Sequence, residues 1–108
     1  MASVFQQAKD LEAQVGGILS AYDVEDLPMR QKELVIQLKH QLIDARIDAR
    51  DYEYAETREE QLHIAKEARE RLTLLKQTIL KASEHNVFSA VDIAQLSARI
   101  EQIISQMD

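Results

Sequence analysis

The sequence predicts an all-α protein, a four-helix-bundle-like fold organised around an antiparallel helical hairpin. Three observations carry this. The 108 residues contain two glycines and one proline, too few for the turns that a sheet requires. Leu, Ile, Ala, Glu, Gln, Arg and Lys dominate, the composition of long packed helices. Between Glu33 and Tyr54, Val35, Leu38, Leu42, Ala45, Ala49 and Tyr52 recur at alternating steps of three and four, one apolar stripe along a helix. The chain fits a single domain, residues 1–108, since no linker, internal repeat or low-complexity segment divides it.

The first helix opens at Ser3, whose spacing to Gln6 suits a capping box. Val4, Ala8, Leu11, Val15, Ile18 and Tyr22 form its seam, widened by Phe5 and Leu19. Gly16-Gly17 interrupts away from that seam and reads as a soft point, a bend in preference to a functional hinge. Asp23 to Pro28 is the first connection, with Asp26 and Pro28 suited to a new helix start.

From Pro28 to Asn86 there is neither glycine nor proline, and one unbroken helix would run on the order of 85 Å. The apolar phase forbids that. Ala65, Ala68, Leu72, Leu75, Ile79 and Ala82 lie nearly opposite the continuation of the Ala49–Tyr52 stripe. Thr57-Arg58-Glu59-Glu60 supplies a capping box where the phase changes. The chain is therefore expected to fold back there, giving helices of about 28–56 and 57–85. Facing positions should add to about 113 or 114, setting Val35 on Ile79, Leu38 on Leu75, Leu42 on Leu72, Ala45 on Ala68 and Ala49 on Ala65. Asn86 suits the left-handed end of the third helix, with Lys81 in its last turn. Ser89 begins a fourth helix by capping Asp92, Phe88 stapling on Ile93; Ile93, Leu96, Ile100, Ile103 and Met107 are its seam.

The second helix carries a further stripe, Ile36, His40, Ile43, Ile47 and Tyr54, each residue about 100° round from a neighbour in the first stripe. A surface helix needs one apolar stripe; two imply cover on two sides. Either the flanking helices close over the second stripe within one chain, or a second copy does. Closed cyclic dimers are the commonest soluble oligomers, so these five residues are expected at a homodimer interface. Another protein partner would meet the same requirement.

Charge and residue types exclude much else. A net charge of −6 and alternating signs along Lys66-Glu67-Ala68-Arg69-Glu70-Arg71 argue against nucleic acid. No cysteine is present, which removes disulfides, thiolate zinc sites and cysteine nucleophiles. No leader and no apolar run of roughly 18 residues appears, so a cytoplasmic protein with no membrane partner is expected. No phosphate-binding glycine loop or nucleophilic serine motif occurs. Glu60 and His63 have the Glu-x-x-His spacing of di-metal bundles, the alternative reading as a small metal-binding helical-bundle enzyme or a metal-storage protein. Both fall off the inward face, and such ligands must project inward. Neither a catalytic residue nor a cofactor is expected. His40 stands as an interface residue, and His85 as a helix end. Asp51-Tyr52-Glu53-Tyr54-Ala55 resembles the helix–helix turn of a tetratricopeptide repeat, but no second copy follows about 34 residues on, so no family is assigned. The expected function is a non-enzymatic, self-associating helical interaction module: an adaptor, scaffold subunit or small chaperone.

Overall fold

The computed structural model describes residues 3–107. Four helices follow one another: α1 (Val4–Leu19), α2 (Met29–Glu53), α3 (Arg58–Glu84) and α4 (Ala90–Gln106), with a single 3-10 turn, Val24–Asp26, between the first two. Short connections make each helix antiparallel to the last. α1 packs on α2 and α4, and α3 packs on α2 and α4, so the helices stand at the corners of a square. The body measures 46 × 23 × 19 Å.

The helix starts are written in side-chain chemistry. Ser3 Oγ accepts from the Gln6 N–H at 3.0 Å, and Thr57 Oγ1 accepts from the Glu60 N–H at 3.1 Å. Each satisfies one of the four donors that a helix start leaves free. At α4 the box closes both ways, Ser89 Oγ taking the Asp92 N–H and Asp92 taking the Ser89 N–H. Pro28 precedes α2 as its N-cap rather than its first residue, and contributes no side-chain cap. Two residues past the end of α3, Asn86 has a φ of 65°, the left-handed conformation that asparagine tolerates. α1 passes through Gly16 and Gly17 without interruption, and neither has positive φ.

The hairpin of α2 and α3 forms as expected. All ten residues of the five proposed layers are buried, from Val35 and Ile79 to Ala49 and Ala65. Near the turn, the Gln61 amide donates to the Tyr52 carbonyl at 3.2 Å. α1 and α4 complete one core with Val4, Ala8, Leu11, Val15 and Leu19 on one side and Leu96, Ile100, Ile103 and Met107 on the other. Leu19 takes the core place expected of Ile18, which is half-buried, and Tyr22 lies beyond the end of α1. The open end of the hairpin is closed by its connections. Val87 and Phe88 are buried there, and the Tyr22 hydroxyl donates to the Val87 carbonyl at 2.9 Å, tying the α1–α2 connection to the α3–α4 one.

The second stripe of α2 lies elsewhere than between neighbours. Buried Leu34, Val35, Leu38, Leu42, Ala45, Asp48, Ala49 and Tyr52 centre the inward face about 160° from the Ile36–Ile43–Ile47 line, at 100° per residue. α1 and α4 therefore close the bundle over the first stripe. The intramolecular alternative for the second stripe does not occur. Its single 100° step from Val35 or Leu42 understated the separation, because Leu34, Ala45 and Tyr52 draw the buried face the other way.

Candidate functional site: the outer face of α2

Met29, Ile36, Ile43, Ile47 and Tyr54 lie on this face with 69%, 44%, 41%, 37% and 77% of their surface in solvent. His40, also exposed, stands among them. Ile36 to Ile47 spans eleven residues, three turns of helix, or about 16 Å. Such an aligned row on a 12.4 kDa protein differs from the scattered apolar residues that any surface carries. Elsewhere Leu62, Leu74, Leu80 and Val91 are exposed. Leu74 lies about 120° round α3 from Leu62 and Leu80, which are themselves five turns apart, so they make no comparable row.

The row joins two shallow features. Ile43, Leu42, Val15, Leu19 and Gly16, together with Glu12 and Lys39, line a largely apolar hollow of about 200 Å³ between α1 and α2. Gly16 leaves it open, since a Cβ there would meet nothing within 4 Å. At the far end Tyr54 and Phe5 line a second depression with Ser3 and Glu53. Glu53 Oε1 accepts the Val4 N–H at 2.6 Å, fixing the start of α1 against the end of α2. Arg46 donates to Glu12 at 2.8 Å across the same α1–α2 seam, and α2 lies within the bundle along its inward side.

The remaining polar candidates are dispersed. Glu60 and His63 are both exposed on α3. Glu60 receives the Glu56 N–H at 3.3 Å, and His63 lies 3.5 Å from Glu67. Among the described residues no three His, Asp or Glu side chains gather closely enough to hold a metal ion. His85 caps the end of α3, and its carbonyl accepts from the Gln31 amide.

One charged group escaped sequence reasoning. Asp48 is buried between α2 and α3, where Arg71 donates to it at 2.5 Å. Its other oxygen has no partner in the fold. Burial pushes its carboxyl above the ordinary 3.8, while the Arg71 hydrogen bond pulls it back and nearby Asp44 and Asp51 add to the rise. Arg71, whose side chain is half in solvent, is held above its ordinary value mainly by the Asp48 hydrogen bond and charge. The available signal was position: Asp48 sits three residues beyond Ala45 and one before Ala49, at the edge of the inward stripe. This pair lies beside Asp44 and Leu74 on the α2–α3 side of the helix, not within the Ile row.

No helix among the described residues is long and apolar enough to cross a membrane. No protein-family model, no curated protein and no solved structure matches the chain.

Proposed function

We propose that this protein is a non-enzymatic helical assembly module that works by self-association through the outer face of α2. One observation carries the reading: Ile36, Ile43 and Ile47 form an aligned row that its own bundle leaves in solvent. Burying apolar surface yields about 25 cal/mol per Å², and a second protein surface is the means of burying this row. The bundle supplies the rigidity, so little ordering is required on association.

The experiment compares the wild type with Ile43→Glu by size-exclusion chromatography and circular dichroism. Ile43 is 41% exposed, so the variant keeps its helical signal and thermal unfolding. It elutes as a single chain, whereas the wild type elutes as a larger species. Equal elution of the two, both folded, contradicts the proposal.

A further inference from the structure

The outer face of α2 carries a second level of pattern. Met29, Ile36, Ile43 and Arg50 recur every seven positions, and Glu33, His40, Ile47 and Tyr54 recur every seven positions, four places later. Together they trace the seam of a helix pair. In an antiparallel pair, each residue of one series faces a residue of the other. We infer that a second copy of this chain covers the face, with α2 antiparallel on α2 about a two-fold axis at the level of Gln41 and Leu42. This inference rests on the self-association proposed above and adds its orientation and register.

Facing position numbers then add to 83. Ile36 meets Ile47 of the second copy, His40 meets Ile43, Met29 meets Tyr54 and Glu33 meets Arg50, each contact occurring twice. Charges beside the seam follow. At these flanking positions the numbers add to 85 or 81: Lys32, 3.1 Å from Glu25 of its own chain, comes beside Glu53 of the second copy, whose own-chain counterpart holds the Val4 N–H, and Arg30 comes beside Asp51. Lys39 comes beside Arg46, whose charge Glu12 already balances at 2.8 Å. A register one heptad away sets Glu33 on Ile43, or Arg50 on His40, and leaves two seam residues unmatched in each copy. A parallel pair sets Glu33 on Glu33, His40 on His40 and Arg50 on Arg50, and like charges in contact disfavour a pairing. The pattern therefore selects one arrangement among those that bury the isoleucines.

The chain has no cysteine, so introduced thiols report on this register alone. In the double variant Ile36→Cys, Ile47→Cys both thiols lie at partly exposed positions. Within one chain they stand about 16 Å apart along the helix, too far for a disulfide. Oxidation followed by tryptic mapping should give an interchain bond joining the peptide 33–39 to the peptide 47–50. Bonds joining 36 to 36 and 47 to 47 overturn the antiparallel register, while the self-association proposal stands. A wild type that sediments as a single chain overturns both. Charge reversal provides an independent check: Glu33→Arg and Arg50→Glu should each weaken the dimer about tenfold, and the two together should restore it. Failure of the double reversal to restore a dimer that each single change weakens contradicts the Glu33–Arg50 layer.

Discussion

Asp48 shows how one side chain can oppose the fold that contains it. Its carboxylate has one strong partner, Arg71, and one oxygen with none. Removing the partner of a buried charge costs more than removing the pair. Arg71→Leu should therefore destabilise the protein at neutral pH, by about 1–3 kcal/mol, the cost of an unsatisfied buried group; denaturant titration measures it. The pH dependence follows from the raised carboxyl value. A group raised in the folded state contributes its stability while protonated and loses it as pH climbs through that raised value. The stability of Asp48→Asn relative to the wild type should accordingly improve as pH rises from the ordinary 3.8 toward neutrality. A difference that worsens over that range contradicts the dominance of burial. Its place at the edge of the apolar stripe was the one signal in the sequence, and a weak one, because a charge at such a margin is ordinarily solvated. Only the packing of α3 on that margin makes it a buried group.

At the scale of elements, the sequence announced most of what formed. Ser3, Thr57 and Ser89 each start a helix and Asn86 ends one, because these side chains satisfy or tolerate the backbone locally. The inward faces of both hairpin helices were readable since apolar phase reports directly which face turns inward. Leu42, 3% exposed, sits in the middle layer, and Leu42→Ala should cost about 2–5 kcal/mol, read from thermal or denaturant unfolding. The fate of the second stripe was not readable: whether α1 and α4 close over one side of α2 or the other depends on all four seams together. Gly16 and Gly17 were equally open from composition. With α1 continuous through both and open space around each Cβ, Gly17→Ala should raise stability by about 0.5–1 kcal/mol. A loss of stability in the same unfolding measurement would mean that the glycine pair serves a bend the folded chain requires.

As a whole, the molecule is a four-helix bundle whose core is complete without the row on α2. Both connections at the open end are tied together by Tyr22 and Val87, and each helix finds its neighbours within the chain. Folding and the association proposed for this face are therefore separable: Ile36, Ile43 and Ile47 carry the proposed contact, while buried Leu42 and its layers belong to folding. This separation follows from geometry, as Ile43 and Leu42 are adjacent in sequence yet 41% and 3% exposed. Sedimentation equilibrium of the wild-type protein across a range of micromolar concentrations tests the central claim most directly. A self-associating chain gives a mass approaching twice the 12.4 kDa of one chain; a mass that stays at one chain throughout that range contradicts self-association.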